Sequence, residues 1–411
     1  SKERFPMLKE TETACIEEAA QRLHLSRQNI QKLYETAADL HIWEEPSIIE
    51  LWDETGSENM TGKTKSQFIL NKLFTKIEQM RCSPIAYTKF SPPAMGGKRK
   101  TALALQHPND KILGRCPVAG EKTRCCNLET LDAVKQCGFA CSYCSIQSFY
   151  GENRVYFHRD LAKKLDDLNL DPDRIYHIGT GQSSDSLMWG DQNGLLSDLF
   201  AFAAKHPNLI LELKTKSSRT EWIRSLQIPK NVIATWSLNP QPVIDAEEHY
   251  TASLRARLAA ARTAADAGIP VGFHLHPMVW YTSWKEDYGS LLKTIQNMFS
   301  PEEIVMLSLG TLTFIRPVIK KLRNSGRKTK TTQIPLSDAA GKLSYPPERK
   351  QELFSFAYNQ FSPEWKQKVF FYLCMENHSL WEPVFGFSYN SNEEFEAAMK
   401  SAYLKKIQTD Q

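Results

Sequence analysis

The chain has 411 residues and a formal net charge of +4, with 41% hydrophobic and 24% charged residues, which allows a full-sized core with smaller additions and marks neither a disordered nor a fibrous protein. No apolar run reaches the roughly 18 residues that a membrane span needs, and SKERFPMLKETETA lacks the apolar centre of a secretory signal, so a cytoplasmic protein without a membrane partner is expected. The small net charge neither demands nor excludes a nucleic-acid partner.

Residues 1–90 are rich in helix formers, with apolar residues at helical spacing in IEEAAQRL, QNIQKLYETAADL and KSQFILNKLFTKIEQM, and read as a helical unit. AAQRLHLSRQNIQKL has the layout of a helix-turn-helix with Ser26 as N-cap, serving either DNA reading or plain packing. Residues 91–123 turn to Pro, Gly and Lys and read as a connecting segment; Lys98, Arg99 and Lys100 in it could meet phosphates or form a solvated face. Residues 124–320 hold the expected catalytic domain. Here RIYHIGTG, NLILELKT, NVIATWSLN, IPVGFHLHPMV and EIVMLSLG read as strands, and LLSDLFAFAAKH, ASLRARLAAARTAADAG and YGSLLKTIQNMF as helices, with Gly268 ending the second of these. That alternation predicts an α/β fold, a partial or complete β/α barrel around a parallel sheet. Reactive residues of such folds lie at strand C-terminal ends, which here read GTGQSSDS, KTKSS, SLN and HPM. Residues 321–411 are expected to form a basic loop with Arg327, Lys328 and Lys330, followed by a helical extension containing FSFAYNQFSPEWKQKVFFYLCMENHSLWEPVFG. In that helix Cys374 and His378 would share a face.

Nine cysteines in such a chain suggest ligands or reactive thiols rather than a disulfide framework. LDAVKQCGFACSYCSIQSFYG places Cys137, Cys141 and Cys144 at C-x3-C-x2-C spacing, so one loop can converge three thiolates. Zinc wants a fourth ligand, whereas a four-iron cluster on three cysteines keeps one iron open for a reactant. Cys116, Cys125 and Cys126 in GRCPVAGEKTRCCN are candidates for a second metal centre, although an adjacent pair fits one ion poorly.

With Tyr143 beside the last cysteine and a βα series following, this loop resembles the radical S-adenosylmethionine (SAM) superfamily. WSLNPQPVIDAEEHYTASLRARLAAARTAADAGIPVGFHLHPMVWYTSWKEDY resembles its spore photoproduct lyase branch. The resemblance implies a [4Fe-4S] cluster on Cys137, Cys141 and Cys144, SAM cleaved to a 5′-deoxyadenosyl radical, an electron donor such as flavodoxin or ferredoxin, and a nucleic-acid base, hence DNA, as substrate. It assigns Ser184, Lys216, Ser237 and Asn239 to SAM. Arg257 also matches, with a helix-surface ion pair as its plain use, and His276 is either a substrate contact or a core residue. Two positions depart from the branch. Gln182 stands where those lyases carry a hydrogen-donating cysteine, and Ser145 where they carry a tyrosine. Tyr143 is retained as a catalytic candidate, and Cys374 is the candidate for hydrogen return. A peptide or small metabolite is the alternative substrate, and a zinc- or DNA-binding protein the non-enzymatic alternative.

Overall fold

Eight strands form one sheet whose order in space is their order in the chain, in a computed structural model that describes residues 5–92, 101–106, 111–116, 122–147, 154–339 and 341–408. They are β1 (Leu113–Arg115), β2 (Glu129–Leu131), β3 (Tyr176–Thr180), β4 (Leu209–Thr215), β5 (Val232–Ser237), β6 (Val271–Met278), β7 (Ile304–Thr311) and β8 (Phe370–Leu373). β1 runs antiparallel to β2, and every later pair is parallel. Residues of β3, β5 and β7 are buried on both faces, as β-branched runs covered by crossover helices must be. β1 and β8 do not pair with each other, so the sheet is an open, partial barrel.

The five strands and three helices expected between residues 174 and 310 are all present. Gly268 takes φ +75° just beyond the helix Leu254–Asp266, as a terminating glycine should. One expectation fails at the C-terminal end. Phe370–Leu373 is not helical but is β8, pairing Met306–Leu309 in parallel register. Its four consecutive large side chains complete the sheet edge and pack against aromatic neighbours such as Phe395 and Tyr403, which outweighs local helical periodicity. Cys374 therefore ends a strand, and His378 begins a separate 3-10 turn.

In the N-terminal helical unit, Ser26 caps the helix Arg27–Trp43 by accepting from Asn29 N at 3.2 Å. Five consecutive residues of this helix, Thr36 to Leu40, are buried, so it is enclosed on every side from its middle onward and leaves its first turn exposed. Asp39 receives Arg81 at 3.0 Å and Arg323 at 2.7 Å. Trp43 donates its indole N–H to Thr332 at 2.8 Å. The helix packs against the segment after residue 315. The basic stretch there is paired within the protein: Lys328 with Glu44, buried Lys330 with Glu45, and Arg327 donates to the carbonyl of Ala140. Lys98, Arg99 and Lys100 lie outside the described residues. No described helix is long and apolar enough to cross a membrane.

Candidate active site

The C-terminal ends of β3 to β7 and the loop 137–147 enclose one cavity of about 440 Å³. Cys137, Cys141 and Cys144 line it together with Tyr143, Ser145, Gln182, Ser184, Lys216, Ser237 and His276. The sequence reading thus gathers at one place, with three exceptions. Asn239, Arg257 and Cys374 are not among the lining residues.

The cysteine loop is held from behind. Ala140–Cys141 pairs antiparallel with Glu248–His249, Ser142 N donates to Glu247 O at 2.9 Å, and the Ser142 hydroxyl donates to the Glu247 carboxylate. That carboxylate also accepts from Thr329 Oγ1 at 2.7 Å and Lys330 N at 2.8 Å. Glu247 is fully buried, and burial pushes its pKa up against these hydrogen bonds. At the loop's start, a side chain on Gly138 would meet Met188 at 2.4 Å and Trp189 at 3.0 Å, so glycine lets this loop approach the one after β3.

Burial pushes the Cys137 thiol well up and Cys141 up to about 12, with the Lys216 ammonium opposing at Cys141. Such thiols keep their protons until a metal displaces them. Phe139 N donates to Cys137 Sγ at 3.4 Å, the kind of bond that tunes a cluster sulfur. Three half-buried thiols on a cavity wall therefore fit an iron–sulfur cluster with an open coordination position.

Lys216 follows β4, where Asp185 fixes its main chain by accepting from Lys216 N and Thr215 Oγ1, both at 2.6 Å. Asp185 also accepts from Met188 N at 2.9 Å and so ties the loop after β3 to the end of β4. The turn between them needs Gly181, at φ +86°, where a Cβ would lie 2.7 Å from Ser186 Oγ and 2.8 Å from Lys214 O. Ser184 Oγ accepts from the Trp189 indole at 3.3 Å. Glu248 lies behind the cavity wall and accepts from Tyr143 OH, and from Asn239 Nδ2 at 2.9 Å. Arg257 meets it at 2.6 Å. Burial raises the Glu248 pKa, but the Arg257 and Lys216 cations win and hold it at about 2. Arg257 is wholly buried, not on a helix surface, and also donates to Ser237 O at 2.8 Å. Asn239 is a layer back from the cavity, with its carbonyl accepting from Tyr288 OH at 2.7 Å. Sequence reasoning missed Asp185, Glu247 and Glu248. The signal available was a pair of adjacent acidic residues, EE in DAEEHY, a few residues after the strand end SLN.

Residues 131–333 match the family described as spore photoproduct lyase. The spore photoproduct lyase of Clostridium acetobutylicum is 23% identical over 254 residues, covering 56% of this chain and 72% of the relative. This chain carries a spore photoproduct lyase-like radical SAM region. Among solved structures, spore photoproduct lyase complexed with dinucleoside spore photoproduct superposes with a TM-score of 0.56 at 18% identity. A mutant of that lyase with bound AdoMet and dinucleoside spore photoproduct gives 0.55 at 17%. Each covers 74% of this chain and 94% of the other. The spore photoproduct lyase-like region begins in β2 and ends in the Thr329–Gln333 segment that Glu247 grips. It contains every cavity residue discussed above, while β8 and Cys374 lie beyond it.

Proposed function

We propose that this protein is a radical SAM enzyme that repairs or modifies a nucleic-acid base, a pyrimidine lesion in DNA being the substrate the site fits best. The observation that carries this reading is the convergence of Cys137, Cys141, Cys144, Ser184, Lys216 and Ser237 on one cavity within the lyase-like region. Cys137, Cys141 and Cys144 would hold a [4Fe-4S] cluster, which with SAM supplies a 5′-deoxyadenosyl radical able to abstract one substrate hydrogen. Lys216 offers a charge-assisted hydrogen bond to a carboxylate, Ser184 and Ser237 offer polar contacts, and Asn239 supports the site through Glu248. Lys321 and Arg327 line the same cavity and give it positive charge suited to a phosphate-bearing substrate. Reducing conditions, as in the cytoplasm, suit nine cysteines none of which is in a disulfide, and a flavodoxin or ferredoxin would supply the electron.

Hydrogen return is where this chain differs from the lyases it resembles. Gln182 lines the cavity, but its amide N–H bonds are too strong to give a hydrogen atom to a carbon radical as a thiol does. Tyr143 is in the cavity wall, and burial, with Glu248 nearby, keeps its phenol protonated; Cys374 lies one residue beyond the cavity-lining Met375. Either could quench a product radical. The Gln182 and Ser145 departures also favour a second reading, in which a peptide or small metabolite replaces the base. The test is to incubate the reduced, anaerobically reconstituted protein with SAM and with irradiated oligonucleotides carrying spore photoproduct or cyclobutane dimers. Release of 5′-deoxyadenosine and restored thymine are expected, both lost in Cys141→Ala. SAM cleavage by the variant lacking all three loop cysteines would overturn the cofactor assignment, and no reaction with any lesion would move the substrate to the second reading.

A further inference from the structure

Outside the cavity, four more cysteines come together from three separate segments. Cys116 follows β1 and donates its main-chain N–H to Leu128 O at 3.1 Å, and Cys374 follows β8 and donates its own to Leu309 O at 2.7 Å. Between them runs the strip carrying Cys125 and Cys126. It is fastened by Arg124 N to Glu376 O at 3.1 Å, by a bridge between Thr123 and Asn377, and by Cys125 N to Asn392 Oδ1 at 2.9 Å. Cys125 and Cys126 hydrogen bond to each other, and the charges of Cys116 and Cys125 reach Cys374. Cys137, Cys141 and Cys144 influence one another in the same way.

Two details extend that likeness. Asn127 N donates to Cys125 Sγ at 3.4 Å, two residues along the chain, as Phe139 N does to Cys137 Sγ at the same distance. Two cations face the group: the Lys342 charge acts on Cys116 and Cys125, and that of Lys214 on Cys116 and Cys374. Among the described residues no three His, Cys, Asp or Glu side chains gather as a single metal ion requires, at these cysteines or at Cys137, Cys141 and Cys144. Tetrahedral zinc draws its sulfurs to about 4 Å from one another, whereas a multi-iron cluster takes each thiolate on a different iron and tolerates wider spacing.

We infer that Cys116, Cys125, Cys126 and Cys374 form a second iron–sulfur site, fully ligated by protein, on the other side of Lys214 from the cavity. A full set of four thiolates leaves no iron open, so this site binds no SAM. It also decides between the two candidates for hydrogen return, because a thiolate bound to iron carries no S–H; the role passes to Tyr143. The inference does not depend on the substrate reading.

Iron and acid-labile sulfide are counted in the full-length protein after anaerobic reconstitution, with metal content by mass spectrometry and EPR after dithionite reduction. Wild type is expected to hold about eight irons, and the Cys137→Ala/Cys141→Ala/Cys144→Ala variant about half of them with an EPR signal remaining. Cys116→Ser/Cys374→Ser should lose the complementary half. A wild-type protein saturating at about four irons, or one carrying zinc in place of the second set, would overturn the proposal. That wild-type measurement decides the matter even if a variant fails to fold.

Discussion

Lys216 carries much of the site's chemistry on one side chain. Its ammonium sits 5.8 Å from the centre of the Tyr143 ring, and its charge acts on both Cys141 and Glu248. Its main chain is anchored independently by Asp185, so Lys216→Ala should remove the charge without moving the strand end. Loss of one charge-assisted hydrogen bond costs about 2 kcal/mol, or roughly 30-fold in Kd. Equilibrium dialysis of SAM against the reconstituted variant should show that weakening with the iron content unchanged; unaltered affinity would show that Lys216 does not hold SAM. Asn239 behaves differently. Asn239→Ala leaves Glu248 and Tyr288 each short of a partner inside the protein, so its main expected effect is a loss of about 2 kcal/mol in stability, read by chemical denaturation.

At the level of elements, the cysteine loop depends on a short strap, Thr329 and Lys330, that reaches it through Glu247. Glu247→Ala would strand three buried donors and should destabilise the fold by about 3 kcal/mol, with iron incorporation falling alongside the unfolding midpoint. Gly181→Ala meets a positive φ and two contacts under 3 Å, so the turn joining β3 to Ser184 should shift; weakened SAM binding with intact iron content is the expected result. The central strands and the cysteine triad were legible in the sequence because each is a local pattern, a β-branched run or a fixed spacing. Glu247, Glu248 and Asp185 were not, since their partners lie far along the chain and nothing local says that a carboxylate will be buried. The same holds for β8. FFYL sits among helical segments, and only the exposed edge of β7 gives it a reason to be extended.

Over the whole molecule, the sheet's interior contains a polar line, His177–Glu212–His274, with separations of 2.8 and 2.9 Å. Burial, followed by the Lys214 charge, pushes the His274 pKa down to about 4. Burial opposes ionisation of Glu212, but hydrogen bonds from both imidazoles hold its pKa well below the usual carboxylate range, so at neutral pH an ionised carboxylate faces a neutral His274. An unfolded histidine titrates near 6.5. The unfolded chain therefore takes up this proton first on acidification, and stability should fall from about pH 6.5 down to about pH 4, by about 2 kcal/mol between pH 7 and 5. Thermal unfolding across that window should show the slope, and His274→Gln should reduce it without abolishing it, because burial lowers the His249 and His276 pKa values as well. The strand order has a further consequence, for the protein's synthesis. Because each strand is laid beside its predecessor, a nascent chain can hold its cysteine loop and the strand ends around it while β7 still presents a bare edge. Late elongation on the ribosome is then the interval in which this protein is most open to edge-to-edge association, until Phe370–Leu373 emerges and covers it.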